Sequence, residues 1–246
     1  MKFNQSLISG TLLRRHSRFL ADVKLISGEE ITAHTANTGS MMGCQEPGST
    51  VWLSVSDNPK RKYAYTWEII EAATEAGKTM IGINTMLSNK LVSEGIESGV
   101  ITELQGYERI RTEVKYGAEN SRIDLLLVPH ENSGDSDSAN QPCYVEVKNV
   151  TLVQNDTAFF PDAVSKRGSK HLRELIDVAK RGERAVIFFC VQRVDAVEVR
   201  PAYHIDPEYG NWLRRAVDAG VEAMAYQAMV APDRITLAKR LPVVAD

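Results

Sequence analysis

Residues 121–151 constrain the fold of this chain more than any other stretch. They read SRIDLLLVP, a polar loop, then CYVEVKNVT. Each flank is a short β-rich run, and each carries charge where an apolar strand should be uniform. Asp124 interrupts the first; Glu146 and Lys148 interrupt the second. Strand side chains alternate between faces, so Glu146 and Lys148 share one face and Val145 and Val147 the other. Paired as a hairpin, the two strands bring Asp124 close to Glu146. An Asp, a Glu and a Lys then converge at the end of a sheet. Two carboxylates suit a hard oxygen-seeking cation, Mg²⁺ or Mn²⁺. Such an ion polarises phosphoryl oxygens and activates water. An E-x-K on a strand is by itself most often a solvated sheet face; the upstream Asp and a basic helix downstream are what raise it above that. The loop between the runs, residues 129–142, is rich in Ser, Asp, Asn and Gly and reads as a mobile hairpin loop. Its Asp135 and Asp137 match only half of a calcium loop, so no calcium site is expected there.

The rest of the chain organises around that hairpin. Residues 11–13, 19–25, 30–33, 51–56 and 63–70 read as five short strands separated by Gly, Asn and Pro turns. Five strands in so short a segment suggest a small closed barrel of the OB kind over residues 1–80. Residues 71–83 read as a connector. The second domain, residues 81–246, begins with a helix capped by Asn84 and ended by Gly95 or Gly99. A half-exposed strand follows in GYERIRTEVKY, then the two core runs. Leu172, Leu175, Ile176 and Ala179 mark one helix face, with Ser169 as cap and Gly182 as stop. A buried strand at 185–191, a helix opening at Asp206-Pro207 and two closing strands complete it. The order helix, three strands, helix, strand is an α/β layer architecture with a mixed sheet.

Two basic runs fall in the barrel segment. Arg14, Arg15 and Arg18 precede or flank Phe19; Lys60, Arg61 and Lys62 precede Tyr65 and Trp67. Cations interleaved with aromatics can hold phosphates and stack bases. The alternative is solvated turns with the aromatics in the barrel core. Any nucleic-acid binding must come from such local patches, because the net charge of −3 over 246 residues gives no global basic field. The three cysteines, Cys44, Cys143 and Cys190, are widely spaced and form no CxxC pair. A disulfide framework or zinc site is therefore not expected. No apolar run approaches a membrane span, and the N-terminal residues lack the apolar core of a signal peptide. A cytoplasmic protein without membrane association is expected.

The helix–three strands–helix–strand order with Asp124 and Glu146-Val147-Lys148 resembles the PD-(D/E)xK nuclease superfamily. Arg122-Ile123 stands where many members have a proline before the Asp. The whole chain resembles the sugar fermentation stimulation protein A family. The stretches that carry this are RRHSRFLADV, HTANTGSMMGC, PGSTVWLSVSDNPKRKYAYTWEII, GYERIRTEVKYG, SRIDLLL, YVEVKNVTL, FPDAVSKRGSKHLREL and IDPEY. The resemblance implies a DNA-binding protein linked to regulation of sugar (maltose) genes, with an OB-like domain followed by a restriction-endonuclease-like domain. It implies Asp124, Glu146 and Lys148 as the nuclease-like centre, with Asp124 and Glu146 as metal ligands. Glu94 or Glu113 would supply a further acid. Arg122 would contact phosphate, or would pair with Glu113 or Glu146. Arg167, Lys170 and His171 would grip the backbone, or would cover their helix. DNA is the expected partner, with RNA as the alternative. Nuclease-fold proteins that cut duplexes often act as dimers, so a homodimer is compatible with this reading. Whether the centre cuts or only binds stays open at this stage.

Overall fold

A computed structural model describes residues 1–74, 77–117, 121–130 and 141–246. Asp135 and Asp137, and most of the loop expected at 129–142, lie outside the described residues.

The first six strands are β1 (Ile8–His16), β2 (Leu20–Leu25), β3 (Glu30–Thr35), β4 (Thr50–Val55), β5 (Tyr65–Thr74) and β6 (Gly77–Gly82). They form one sheet in the order β3-β2-β1-β4-β5-β6, and a parallel pairing of β3 with β5 closes five of them into a barrel. Leu12, Val23, Ala33, Val51, Leu53, Trp67 and Ile70 fill its interior. The segment expected as a connector at 71–83 is instead the end of β5 and the whole of β6. Its Ala72-Ala73 and Gly77 have weak strand propensity. Packing overrides it: Thr79 and Ile81 face inward, and Gln192 sits so close to Gly82 that an added Cβ would lie 2.2 Å from its amide oxygen.

Helix α1 (Ser88–Glu97) follows a one-turn 3₁₀ segment at Thr85–Leu87 that Asn84 caps. Gly95 lies inside the helix; Gly99, at φ +76°, is the stop. The second sheet runs β15-β14-β12-β9-β8-β7. Its members are β7 (Arg109–Tyr116), β8 (Ser121–Val128), β9 (Cys143–Val150), β12 (Arg184–Val191), β14 (Glu222–Ala231) and β15 (Arg234–Leu241). β9, β12 and β14 are parallel and the rest antiparallel, so the sheet is mixed. Helix α1 covers one face; α2 (Lys166–Lys180) and α3 (Pro207–Asp218) pack together on the other. The architecture is thus two domains, a closed β-barrel and an α/β mixed sheet. Ile69, Trp52 and Met80 of the barrel pack into the core that lies under α1, so an apolar contact joins the two.

Three short strands escaped the sequence reading: β10 (Leu152–Gln154), β11 (Thr157–Phe160) and β13 (Glu198–Pro201), a sheet of their own. Asn155 and Asp156 turn β10 into β11 with positive φ at both positions. A two-residue turn of that kind matches the twist of its strands. The start of α2 also moves. Ser165, not Ser169, caps it: the Ser165 hydroxyl accepts the Gly168 N–H at 3.0 Å. The Ser165 N–H in turn donates to Asp206 Oδ2 at 2.7 Å, while Asp206 Oδ1 caps α3 at Tyr209. One aspartate therefore sets the starts of both helices, and the earlier start brings Arg167 into the first turn of α2. Among the described residues no helix is long and apolar enough to cross a membrane, and the three cysteines are free and buried.

Candidate functional site

The central feature is a place where two strands part. β8 and β9 pair at Leu127↔Cys143, Leu126↔Tyr144 and Leu125↔Val145, and the ladder stops there. The next position would set Asp124 opposite Glu146. Instead the Asp124 carboxylate accepts the Val147 N–H at 2.8 Å through Oδ2. A side chain thus takes the place of a strand carbonyl, which satisfies the backbone where the sheet opens. Asp124 Oδ1 accepts from Asn89 Nδ2 of α1 at 2.9 Å. Burial, then the charge of Glu146, raises the Asp124 carboxyl above its ordinary value.

Glu146 lies deeper, its side chain 3% exposed. Val145 and Val147 point the other way, into the core beneath α1, as strand alternation requires. Lys148 Nζ reaches Glu146 Oε1 at 2.6 Å, and His171 Nδ1 from α2 meets the same oxygen. Arg167 Nε donates to His171 Nε2 at 3.3 Å. That assigns the ring proton to Nδ1, so His171 and Lys148 are two donors converging on one acceptor. Burial opposes ionisation of Glu146, but Lys148 and His171 together hold its carboxyl below its ordinary value. The other oxygen, Oε2, is buried and has no hydrogen-bond partner among the described residues. Glu174, one turn beyond His171, is buried, and among the described residues neither of its oxygens has a partner. The Tyr116 phenol is pushed up by burial and then by Glu146, Glu174 and Asp124. The negative charge of this locus is therefore only partly compensated. Among the described residues no three His, Cys, Asp or Glu side chains form a ready-made metal cluster.

Asp124 and Lys148 open onto a cleft of about 530 Å³ between the domains, lined also by Asn37, Thr38 and Gly39 of the barrel. The structure brings Glu113 into this cleft. It stands at the register position opposite Asp124, between the pairs Thr112↔Leu125 and Val114↔Ile123, with φ +54°. Left-handed backbone at a non-glycine residue is uncommon in a strand and marks local strain. Glu94 lies elsewhere on α1, paired with the Met1 amine at 2.6 Å.

The expected phosphate contacts divide. Arg167 is on the cleft wall, and Lys170 and His171 follow on the same helix. Arg122 is exposed on β8, in register with Lys115. Arg14 is bonded to Asp22 at 2.8 Å, and Arg18 sits in the β1–β2 turn at φ +60°. Arg15 is the clasp of the barrel loop: its Nη atoms donate to the carbonyls of Arg18, Asn37, Gly39 and Ser40 and to Gln45. Its Nη donors are spent on structure. Lys60, Arg61 and Lys62 are exposed on a separate loop, with Arg61 bonded to Thr66. Trp67 corrects the stacking reading. It is fully buried in the barrel core, with its indole N–H donating to the Ile69 carbonyl, so no base can reach it. Tyr65 is half-buried against the same core.

Sequence reasoning missed Asn89, Asn149, Gln192 and Asp162. Asp162 accepts from the Ser40 hydroxyl at 3.2 Å and the Met41 N–H at 3.0 Å, clamping the barrel loop across the cleft. Gly39 is needed there, because a Cβ would sit 2.6 Å from the Asp162 carboxylate. Asp162→Ala is expected to destabilise the protein by about 1–3 kcal/mol, the penalty for donors left without an acceptor. Urea unfolding measures it, and an unchanged midpoint would show that the clamp carries no weight.

Residues 86–234 match the model of the sugar fermentation stimulation protein RE domain, and residues 13–83 that of the SfsA N-terminal OB domain. The chain is 59% identical to the sugar fermentation stimulation protein homolog of Geobacter sulfurreducens, over 97% of each. It is 55% identical to the homolog of Geobacter metallireducens, over 99% of this chain and 100% of the relative. Among solved structures, Pyrococcus furiosus SfsA in complex with Ca²⁺ is similar with a TM-score of 0.84 and 27% identity, over 99% of this chain and 98% of that one.

Proposed function

Because the chain belongs to the sugar fermentation stimulation protein family, we propose that it is a DNA-binding protein whose Asp124–Glu146–Lys148 centre is a divalent-cation nuclease site. Its setting would be the regulation of sugar-utilisation genes. The observation that carries this reading is the unpartnered, buried Oε2 of Glu146 beside Asp124. A buried carboxylate oxygen without a partner is costly, and a cation removes that cost. The residues present fit such an ion: Asp124 and Glu146 would hold it, with Glu113 the further oxygen donor on the same cleft. The Ca²⁺ complex of the Pyrococcus furiosus relative supports a hard, oxygen-ligated ion. When bound, Mg²⁺ or Mn²⁺ supplies Lewis-acid polarisation of a phosphoryl oxygen.

The remaining work falls to the chain itself. Asn89 and the Val147 N–H hold Asp124 in one orientation. Lys148, which lines the cleft, donates to a phosphate oxygen and offsets charge developing there. Arg167 adds a second cation on the cleft wall. Arg18, Arg122 and the Lys60–Lys62 loop are exposed cations available to more distant phosphates.

A second reading is a non-catalytic DNA-binding regulator. What favours it is that the protein already engages both Asp124 oxygens and Glu146 Oε1. Incubation of single- and double-stranded DNA and RNA with Mg²⁺ or Mn²⁺ separates the two. Cleavage lost in both Asp124→Ala and Lys148→Ala supports the nuclease; cleavage surviving both changes sinks the site assignment. Salt-sensitive DNA binding with no cleavage of any substrate favours the regulator.

A further inference from the structure

Beside the carboxylates, the cleft has a second half that the chemistry above does not use. Met86 lines it with 77% of its surface exposed. Its turn is rigidly held: Asn84 Oδ1 accepts the Met86 N–H at 3.1 Å, and the Thr85 hydroxyl donates to the Ala36 carbonyl at 2.7 Å. A large apolar side chain is thus held out in water on a pinned turn, with no packing role of its own.

Two amides complete this half. Asn149 Oδ1 accepts from the Ser88 hydroxyl at 3.0 Å and from Gln192 Nε2 at 2.6 Å. Gln192 is fully buried, so the orientation of the Asn149 amide is set from beneath. Asn37 Oδ1 accepts the Gly39 N–H at 2.9 Å. Both side chains line the cleft. Each spends its oxygen on the protein, and no described residue accepts from either NH₂ group.

We propose that this half of the cleft receives one unpaired nucleotide, which makes the substrate a single-stranded segment or strand end rather than an uninterrupted duplex. The proposal rests on the nuclease-like reading of the Asp124 centre. The base packs on Met86, as apolar side chains do against unstacked bases. Its carbonyl and ring-nitrogen acceptors meet the Asn149 and Asn37 donors, in the way single strands are read along their exposed edges. Its phosphate lies toward Lys148 and Arg167. The whole cleft, about 530 Å³ with the Asp124 end included, suits one small ligand. The barrel loop, clamped by Asp162, forms one wall of the cleft.

Fluorescence anisotropy in EDTA, where cleavage cannot intervene, tests this with a labelled 12-nucleotide single strand as DNA, the same strand as RNA, and the blunt DNA duplex. A single strand of either sugar should bind about tenfold or more tighter than the duplex, and the tighter arm identifies the sugar. Met86→Ala, at an exposed position that leaves folding intact, should weaken single-strand binding roughly fivefold, the low end of side-chain stacking on bases. A 2-aminopurine in the strand should lose emission on binding the native protein and lose less on binding Met86→Ala. Equal or tighter duplex binding would overturn the proposal, as would a Met86→Ala protein with unchanged affinity and emission. A cleavage assay on the native protein with Mg²⁺ or Mn²⁺ keeps the two readings apart. Single-strand preference with no metal-dependent cleavage in the native protein sinks only the nuclease reading; cleavage without that preference sinks only this inference.

Discussion

Asp124→Asn is expected to abolish cation-dependent cleavage, by more than ~100-fold, while leaving the fold intact. Loss of a partner that merely supports a metal ligand costs about 10–100-fold in metal affinity or activity, and the role proposed for Asp124 is that of a ligand itself. The fold survives because the new amide still offers an oxygen to the Val147 N–H, now 2.8 Å from Asp124. Asn89 need only turn its own amide to meet the new NH₂. Burial and the charge of Glu146 raise the Asp124 carboxyl above its ordinary value. A raised acid costs the folded state stability at pH above its folded value, and that cost vanishes below the ordinary carboxylate range. The cation-free variant should therefore melt no lower than the native protein at neutral pH, and the two should converge in acid. Mg²⁺ or Mn²⁺ should raise the melting temperature of the native protein only: at a hundredfold excess over Kd the gain is about 2.7 kcal/mol. A variant still stabilised by Mn²⁺ would remove Asp124 from the metal site.

Lys148→Ala carries the largest expected stability loss, about 3–5 kcal/mol, the cost of removing one partner of a buried pair. It strands a glutamate whose side chain is 3% exposed and leaves His171 as its remaining donor among the described residues. Adding Glu146→Gln should recover most of the loss, because it removes the stranded charge; chemical denaturation of the four proteins gives the coupling. The pH sign is fixed by the direction of the shift. Lys148 and His171 hold the Glu146 carboxyl low against the opposing effect of burial. Its contribution is present above the ordinary carboxylate value and lost as pH falls through the lower folded value. The Lys148→Ala deficit should accordingly shrink in acid, where Glu146 protonates. A loss under about 1 kcal/mol at neutral pH would mean that the pair behaves like an exposed one.

Much of the fold was legible because it depends on local rules. Short β-rich runs between Gly, Asn and Pro turns located β1 to β5, the two β-rich runs at 121–151 located β8 and β9, period-2 alternation located β7, and the Asp206-Pro207 pair marked the start of α3. The misses have physical causes. β6 starts and ends on glycine and follows the Ala72-Ala73 end of β5, so its strand signal is weak; the inward-facing Thr79 and Ile81 and the neighbouring Gln192 hold it in the sheet. The choice between Ser165 and Ser169 as cap was made by Asp206, some forty residues away. Trp67 read equally well as a stacking surface or as core, since both need an aromatic on a strand; closure of the barrel through β3 and β5 buried it.

By itself, the residue order put Asp124 in one β-rich run and Glu146 and Lys148 on one face of the next, so that the three can converge if 121–128 and 143–150 pair as a hairpin in the right register. Only the tertiary structure decided how they meet. It parts the strands at Asp124, turns that carboxylate onto the Val147 N–H, and places Lys148 and His171 on one oxygen of Glu146 while the other stays bare. It also sets Glu113, not Glu94, at the cleft, and lays the barrel loop across it. These outcomes depend on contacts between segments far apart in the chain, whose geometry no local period encodes.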